Sequence, residues 1–383
     1  MAVYLDHAAG TPMRPAAAAA LAEAAARVGN PSSVHRHGQA ARAALEEARE
    51  RLAAVLDCDP LEVVLTSGGT ESVNLAITGA YRAAVGRTDL LVPGGEHAAT
   101  VEAVDALVAS EGARLVPLAV DGDCRLAPAV LAQALADGAD SAALISALWA
   151  NNEVGTVNPV RELADVAVDA GVPLHLDAVA AFGAVPVSFR ASGAALLSVS
   201  AHKVGGPAGI GALVVGRAAA VAPLLHGGGQ ERGLRSGTPA TALAVAFAVA
   251  AEEAVATLAE EGRREARLRD RALAGLTAAL PGAVVRGADP GRPGARLPNN
   301  LHVTVPGADG EDLLFLLDAA GVSVSTGSAC LAGVARISPV LLAMGVPVEE
   351  ARGALRITFG HPSTDEDVDA LLAALPRLAA AVH

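Results

Sequence analysis

The sequence predicts an α/β protein built from a large and a small domain. Helical and strand-like segments alternate along most of the 383 residues. Short apolar runs that are bounded by turn residues and separated by helices are typical of βαβ units, which form a mostly parallel sheet covered on both faces. The chain is also longer than one hydrophobic core usually serves, so two domains are expected.

The first two thirds of the chain supply the elements of the large domain. Two Ala-rich segments, AAAAALAEAAARVG and AARAALEEARERLAAVL, predict helices, and the first of them is expected to end at Gly29. Seven apolar runs predict strands: EVVLTSGG, DLLVPGG, ARLVPLAV, AALISALW, VPLHLDAV, ALLSVSAHK and GIGALVV. Ligands bind at the carboxyl ends of the strands in such sheets. The motifs TSGGTE, NNE, DAV and SAHK are therefore expected to share one edge of the sheet.

The pattern changes near residue 252. EEAVATLAEEGRREARLRDRALAGLTAAL predicts a long, charged amphipathic helix that links two bodies. After it, NNLHVTV, VSVST and GALRITF predict strands, while GEDLLFLLDAAG, PVLLAMG and DEDVDALLAALPRLAAAV predict helices of a smaller unit. The expected division is an N-terminal arm (1–15) that packs with the small domain, a large domain (16–252) and a small C-terminal domain (253–383).

Composition excludes several classes of function. The net charge is −13, which argues against a nucleic-acid surface. The first residues, MAVYLDHAAG, show neither the positive n-region nor the apolar h-region of a secretory signal. The longest apolar run, from about Ala240 to Ala251, is shorter than the roughly 20 residues that span a bilayer. The three cysteines lie far apart without a CxxC pair, so neither a zinc site nor a disulfide framework is expected. We predict a cytoplasmic protein without a membrane or nucleic-acid partner.

Lys203, in SVSAHKVGGPAGIG, is the only lysine in the chain, which contains 27 arginines. Arginine stays charged, whereas a buried lysine can lose its proton and become a nucleophilic amine. A lone lysine at a strand end is usually a solvated surface residue. The glycines after Lys203 allow the backbone to approach a ligand closely. The pattern therefore favours a lysine that forms a Schiff base.

Two further motifs fit a phosphorylated cofactor, although each has an ordinary structural reading. In LTSGGTESVNLAI a strand ends at Thr66, two glycines follow and a helix begins near Thr70, which presents backbone N–H groups to an anion. The spacing matches neither a Walker A motif nor GxGxxG, and a tight turn with a Thr cap fits it equally well. Asp177 ends an apolar strand, where it could pair with the pyridinium nitrogen of pyridoxal 5′-phosphate (PLP) or cap the next helix.

Ten stretches, in order from about residue 3 to 369, resemble the cysteine desulfurases of the NifS/IscS type. They are YLDHAAGTPM, NPSSVHRHGQ, LTSGGTESVNLAI, GEHAAT, NNEVGTVNPV, HLDAVAAFG, SAHKVGGPAGIGAL, HGGGQERGLRSGT, STGSAC and LRITFGHPSTDEDVD. These enzymes are PLP-dependent transferases of fold-type I in the class V aminotransferase group. The resemblance implies a large domain with a mostly parallel seven-stranded sheet and a smaller α/β C-terminal domain.

The resemblance also implies a role for each site residue. Lys203 would carry the cofactor, and Asp177 would keep the pyridine nitrogen protonated. His97 would stack over the ring and assist proton transfer, while Asn152 would contact the phenolic oxygen and the substrate carboxylate. Arg356 would bind that carboxylate as a bidentate pair. The phosphate would be bound by Gly69, Thr70, Ser200 and His202, together with Thr238 from the other subunit of a homodimer.

Cys330 determines which reaction is expected. It follows a strand in the small-residue loop VSVSTGSACLAG, which suits an accessible, reactive thiol. Cys58 and Cys124 lie in acidic turns that disfavour a thiolate. The resemblance implies that L-cysteine is converted to L-alanine with a persulfide on Cys330. The sulfur would pass to an acceptor protein, such as an iron–sulfur scaffold or a tRNA-thiolation enzyme.

The sequence departs from the family pattern at a few positions. Ala180 stands where the family usually has a Gln that bonds the cofactor phenolate, and His7 and Gly10 replace the commoner Asn and Thr at the mouth of the site. After Cys330, LAGVARISP differs from the usual TSxSLEP. The alternatives are a selenocysteine lyase, a cysteine or cystine lyase, or an aminotransferase on the same scaffold, and a degenerate fold that acts as a binding module.

Overall fold

The computed structural model describes residues 2–327 and 337–382. Within these ranges helices and strands alternate through the first two thirds of the chain. The helices are α1 (Pro15–Ala25), α2 (Arg36–Leu56), α3 (Gly69–Ala83), α4 (Ala98–Glu111), α5 (Pro128–Gly138), α6 (Val160–Asp169), α7 (Phe189–Ser192), α8 (Thr241–Ala279), α9 (Gly310–Ala319), α10 (Pro339–Ala343), α11 (Val348–Ala351) and α12 (Asp365–Val382). The strands are β1 (Val3–Tyr4), β2 (Val63–Thr66), β3 (Asp89–Pro93), β4 (Arg114–Leu118), β5 (Ala142–Leu148), β6 (Leu174–Asp177), β7 (Leu196–Ser200), β8 (Gly211–Val215), β9 (Val284–Val285), β10 (Asn300–Thr304), β11 (Val322–Ser323) and β12 (Ala354–Thr358).

Seven strands form the central sheet in the order β2-β8-β7-β6-β5-β3-β4. All neighbouring strands pair in parallel except β8, which runs antiparallel to both β2 and β7. Six strands therefore run in one direction, and the predicted α/β fold with a mostly parallel seven-stranded sheet is confirmed.

Both faces of this sheet are buried at its central strands, which are mostly apolar, whereas the edge strand β4 is largely exposed. One face packs under α3 and α4 around residues such as Val73, Leu90 and Leu107. The other face carries a larger core to which α2, α5, α6 and the first half of α8 contribute, including Leu52 and Phe247. The carboxyl edge of the sheet is thus held from two sides.

A second core lies in the C-terminal part of the chain. The antiparallel sheet β12-β10-β9 packs with α9, α12 and the second half of α8 around Leu268, Leu301 and Leu355. Leu5 belongs to the same core, because β1 pairs in parallel with β11. The single helix α8 contributes to both cores, so it links the two packed units as expected.

Two helix boundaries differ from the prediction. Helix α1 ends at Ala25, not at Gly29. A Cβ at Gly29 would lie 2.4 Å from the carbonyl oxygen of His37. Gly29 therefore allows the chain to pass close to α2. Helix α8 begins at Thr241, eleven residues before the charged segment that predicted it. The Ala-rich residues before 252 show no polar periodicity, yet they pack as helix in the large core.

By length and composition alone, α8 could cross a membrane. Its apolar first half has another explanation in this fold. Ala244, Phe247, Ala248 and Ala251 are fully buried in the core beside the central sheet.

Candidate active site

The predicted motifs meet at the carboxyl edge of the seven-stranded sheet. Strands β2, β3, β5, β6 and β7 run in the same direction and end at Thr66, Pro93, Leu148, Asp177 and Ser200. The segments that follow these residues carry all four of the predicted motifs. The parallel topology therefore brings together residues that are more than a hundred positions apart.

The turn after β2 presents the N-terminus of α3 to this edge. Gly68 has a φ of +152°, a conformation that favours glycine. A Cβ at Gly69 would lie 2.9 Å from Val179 Cγ2 and 3.5 Å from Ser200 Cβ. The first backbone N–H groups of a helix have no partner within the helix. The turn, with the exposed Thr70 beside it, is a concave cradle of free donors that suits a phosphate.

Ser200 and His202 stand next to this cradle. The Oγ of Ser200 lies 2.9 Å from Nδ1 of His202. Burial lowers the pKa of His202 to about 4, and the neighbouring Lys203 cation acts in the same direction. The imidazole is therefore neutral at pH 7, and it can serve the site as a hydrogen-bonding group without a charge.

Asp177 is buried at the end of β6. Its Oδ1 accepts a hydrogen bond from the backbone N–H of Val179 at 2.9 Å. Within residues 2–327 and 337–382, no hydrogen bond reaches its Oδ2. Burial raises the pKa of Asp177, while the Val179 bond and the charges of His97 and Lys203 oppose that rise. A cationic partner at Oδ2 would favour the ionised form.

His97 caps the N-terminus of α4. Its Nδ1 accepts from the backbone N–H of Ala99 at 3.0 Å, which fixes the ring and leaves Nε2 available for a proton. Burial by surrounding protein atoms lowers the pKa of His97; the charge of Asp177 opposes this shift and that of Lys203 adds to it. A neutral ring beside Asp177 and Lys203 can exchange protons near pH 7.

Lys203 follows β7 in a short turn of 3₁₀ helix and points to the N-terminal arm. Its Nζ donates to the carbonyl oxygens of Ala8 and Ala9, the latter at 3.1 Å. Burial lowers the pKa of Lys203 to about 8; Arg356 lowers it further, whereas Asp6 and Asp177 oppose the shift. An amine with this pKa is unprotonated in a useful fraction of molecules near neutral pH.

Arg356, on β12, brings a guanidinium to the same cleft. Its Nη1 donates to the carbonyl oxygen of Asn152 at 3.2 Å, and its Nη2 pairs with Asp6 at 2.7 Å. The side chains of Asn152 and Ala180 line a cavity of about 60 Å³ together with Lys203. The predicted substrate-binding residues therefore adjoin the predicted cofactor lysine.

These features coincide with a family match over most of the chain. Residues 3–371 match the family described as "Aminotransferase class-V". The chain belongs to the class V aminotransferase family. It is 48% identical over 377 residues to the "IscS-like cysteine desulfurase" of Mycobacterium tuberculosis, which covers 97% of this chain and 95% of the relative.

Solved structures of this family have the same fold. A "NIFS-LIKE PROTEIN" superposes with a TM-score of 0.90 at 32% identity and covers 99% of this chain and 100% of the other. "SspA in complex with cysteine" superposes with a TM-score of 0.80 at 30% identity and covers 93% and 98%. The predicted resemblance to NifS/IscS cysteine desulfurases and the predicted enzyme class are confirmed.

The residues present fit PLP, the cofactor of this family. The cradle at Gly69 leaves no room for a side chain but offers backbone donors for a phosphate. Oδ2 of the buried Asp177, which has no partner among the described residues, matches a protonated pyridine nitrogen, and the amine of Lys203 matches an aldehyde. Ala180 supplies no polar atom at the position where the family usually has Gln.

Two predicted residues are not joined to the cleft by a described contact. Thr238 is exposed and makes no hydrogen bond within the described ranges. Its loop lies near the start of α3, because Arg235 pairs with Glu71 at 2.8 Å. Cys330 lies outside the described residues, so its predicted role stays a prediction.

The other two cysteines agree with their expected lack of reactivity. Burial raises the pKa of Cys58 to about 12, and nearby acidic groups add to the shift. The pKa of Cys124 is also raised to about 12, by burial and then by Glu96 and Glu153. Neither thiol forms a thiolate readily at neutral pH.

Sequence reasoning missed several residues at this site. Asp6, Ala8 and Ala9 of the arm bind Arg356 and Lys203. Asn151 holds the NNE turn, because its Oδ1 accepts from the backbone of Glu153 at 2.9 Å. The adjacent pair of asparagines was a signal for two roles, one in binding and one in holding the turn.

Proposed function

We propose that this protein is a PLP-dependent cysteine desulfurase that transfers sulfur from L-cysteine to Cys330. The observation that carries the proposal is the N-terminal arm, which contacts Lys203 and Arg356 at the same time. An amine that can bind the cofactor and a guanidinium that can bind a carboxylate are thereby held at two ends of one small cleft. This arrangement suits an α-amino acid.

The cofactor would be held by residues already described. The phosphate would be held by the N-terminus of α3 with Gly69 and Thr70, and by Ser200 and His202 of the same chain. Thr238 of the partner subunit would complete this phosphate site. Asp177 would pair with the ring nitrogen. PLP would supply an electron sink for the electrons of the Cα–H bond. Because Oδ2 of Asp177 has no other described partner, it is free to stabilise a protonated ring nitrogen.

The remaining steps belong to side chains of this chain. Arg356 would bind the substrate carboxylate, with Asn152 beside it, and Lys203 would take the Cα proton once its amine is free. His97 would exchange a proton through Nε2. The Cys330 thiolate would attack the substrate sulfur. The Cβ–S bond breaks, an S–S bond forms, and Cβ receives a proton, so a thiol and L-cysteine give a persulfide and L-alanine without an external oxidant.

The next acceptor would be a protein nucleophile or a thiol reductant. An iron–sulfur scaffold, a tRNA-thiolation enzyme and a thiocarboxylate carrier are each compatible with a persulfide donor. The acceptor would meet a cytoplasmic homodimer with no membrane or nucleic-acid contact of its own.

The test is to add L-cysteine and a thiol reductant to the PLP-loaded protein and to quantify alanine and sulfide. Equal amounts of the two products are expected. Cys330→Ala should lose both, whereas the matched control Cys58→Ala should retain them, because the Cys58 thiol is half-buried and its raised pKa keeps it protonated. Pyruvate with ammonia instead of alanine would indicate β-elimination by a lyase and would refute the proposal. Turnover of L-selenocysteine but not of L-cysteine would indicate a selenocysteine lyase.

A further inference from the structure

Arg356 already has a carboxylate partner in the protein itself. Oδ1 of Asp6 lies 2.7 Å from its Nη2. The Arg356 side chain is only 6% exposed and that of Asp6 is 20% exposed. Salt screens such a pair less than it screens a surface ion pair. A substrate carboxylate must therefore share the guanidinium with Asp6.

The guanidinium retains free hydrogen-bonding capacity beside Asp6. Among the described residues, its Nη1 makes only long contacts, to the carbonyl oxygens of Asn152 at 3.2 Å and Gly327 at 3.5 Å. Its Nε is buried and has no hydrogen-bond partner within residues 2–327 and 337–382. Arginine has five N–H donors in a fixed fork. A second carboxylate can thus bind without breaking the pair with Asp6.

The backbone around Asp6 is fixed on both sides, so its charge stays in place. The hydroxyl of Tyr4 donates to the carbonyl oxygen of Asp6 at 2.8 Å. Thr358 bonds the residues before and after it: its N–H donates to Leu5 at 2.8 Å, and its Oγ1 accepts from the N–H of Ala8 at 2.9 Å. Asp6 is therefore a fixed negative charge beside the carboxylate-binding arginine.

The amine end of the same cleft is lined by acceptors. The carbonyl oxygens of Ala8 and Ala9 accept from Nζ of Lys203 and would accept equally from another ammonium. These residues follow Asp6 within three positions. Residues 6–9 of the arm thus offer one negative charge and carbonyl lone pairs to the cleft, and Arg356 offers positive charge at one end.

We propose that Asp6 is a specificity-determining residue that makes the cleft select zwitterionic amino acids over simple carboxylate anions. With Asp6 in place, the ion pair at Arg356 carries no net charge, so a simple anion gains little attraction from the guanidinium. A zwitterion gains more, because its ammonium is attracted by Asp6 and by the arm carbonyls. This inference rests on the proposed function, since it concerns the same substrate site.

The test compares two ligands of nearly equal size in the parent and in Asp6→Asn. They are 3-mercaptopropionate, which is L-cysteine without its amino group, and L-alanine, which keeps that group. Binding is measured by calorimetry on the PLP-free protein and repeated on the loaded enzyme. Asp6→Asn should bind 3-mercaptopropionate about tenfold tighter, which corresponds to about 1.4 kcal/mol. Its affinity for L-alanine should change by less than about threefold. The carboxylate of L-alanine gains attraction to Arg356, while its ammonium loses attraction to Asp6.

Two control variants locate the effect. Asp165→Asn removes an acid from the exposed pair with Arg161 on α6 and should bind both ligands as the parent does. Arg356→Gln should lose the binding of 3-mercaptopropionate in the parent and in the Asp6→Asn background.

Other outcomes would overturn the proposal. If Asp6→Asn weakens both ligands, Asp6 only positions Arg356, and if neither affinity moves, Asp6 has no role in selection. These results are independent of turnover. A protein that makes no alanine from L-cysteine would refute the proposed function, while the ratio of the two affinities would still decide the role of Asp6.

Discussion

Lys203 has the most informative environment among the individual residues. Burial lowers the pKa of its amine to about 8, with Arg356 acting in the same direction. Below that pKa the amine is protonated and cannot attack an aldehyde. The environment therefore sets the pH range in which the protein can take up its cofactor.

We predict that the rate of PLP uptake by the PLP-free protein rises with pH to a half-maximum near 8. Below this value the rate should fall about tenfold per pH unit, because only the neutral amine reacts. Stopped-flow absorbance of bound PLP measures the rate. Lys203→Arg should show no such phase, and a half-maximum near the ordinary lysine pKa would contradict the burial argument.

His302 is a buried residue that the proposed chemistry does not use. It is fully buried on β10, and neither of its ring nitrogens has a hydrogen-bond partner in the part of the chain that the structure describes. Burial lowers its pKa to about 3, and nearby arginines, Arg296 first, add to the shift. Between this value and the ordinary pKa near 6.5, the unfolded chain binds a proton that the folded chain excludes. Its contribution to stability is thus complete above pH 6.5 and is lost as pH falls.

We predict that His302→Gln reduces the acid sensitivity of the fold. Each such histidine should lower the free energy of unfolding by about 1.4 kcal/mol per pH unit below about 6.5. The variant should lose one such contribution. Urea titrations at pH 7, 6 and 5 would then show a shallower dependence of the free energy of unfolding on pH. His226→Gln, at an exposed histidine, is the matched control. Equal slopes in the parent and in His302→Gln would refute the assignment.

The cofactor residues were accessible to sequence reasoning for a physical reason. Lys203 and Asp177 each follow an apolar strand, so the parallel topology alone brings them to one edge. The pairing of Asp6 with Arg356 was not accessible, because the two residues are 350 positions apart. No local pattern encodes which carboxylate a distant arginine will meet.

At the scale of elements, the arm and α8 are joined by a buried ion pair. Arg14 lies near the end of the arm and is almost fully buried. Its Nη2 lies 2.8 Å from Glu261, and its Nη1 lies 3.1 Å from Glu253. Its Nε donates to the carbonyl oxygen of Val204, next to the cofactor lysine, at 3.0 Å. Arg14 therefore supports the turn that carries Lys203.

We predict that Arg14→Leu destabilises the protein by about 3–5 kcal/mol, because it leaves Glu261 without its cation in a largely buried place. Urea denaturation of the PLP-free protein measures the change. Arg161→Leu removes an exposed pair within α6 and should cost no more than about 1 kcal/mol. A loss of similar size in both variants would show that burial does not distinguish the two pairs.

Helix α8 shows where sequence periodicity fails. Its charged half is amphipathic and was predicted, whereas its first eleven residues are mostly alanine and small apolar residues that give no periodic signal. They pack as a helix in the large core, where Ala244, Phe247 and Ala251 are fully buried. Tertiary packing, and not local pattern, determines where this helix begins.

At the scale of the whole molecule, the site is assembled from two packed units. The central sheet carries Asp177 at the end of β6 and Lys203 just after β7, and the C-terminal sheet carries Arg356 on β12. The fold class followed from the order of elements. The arm, however, connects the two sheets through its bonds to Lys203 and Arg356. It is anchored by β1 and β11, which have two residues each and are too short to show in the sequence. The predicted domain boundaries at 15 and 252 stay predictions.

Thr238 allows a test of the proposed homodimer. Thr238 is exposed and unpaired within the described part of its own chain, and it is proposed to reach the phosphate of the other subunit. Thr238→Glu would then place a negative charge at that phosphate and prevent PLP binding in the facing site. Lys203→Ala prevents the attachment of PLP in its own site. Each variant alone should be inactive, and each should elute as a dimer by light scattering.

Unfolding the two variants together and refolding them as a mixture tests whether Thr238 acts across the interface. Half of the dimers should be mixed, and each should contain one site with Lys203 and an unaltered facing Thr238. Activity and PLP absorbance should therefore recover to about a quarter of the parent value, the fraction that random pairing of independent sites allows. Recovery should be absent when either variant is refolded alone. If the mixture stays inactive while the parent refolds fully, Thr238 does not act across the interface.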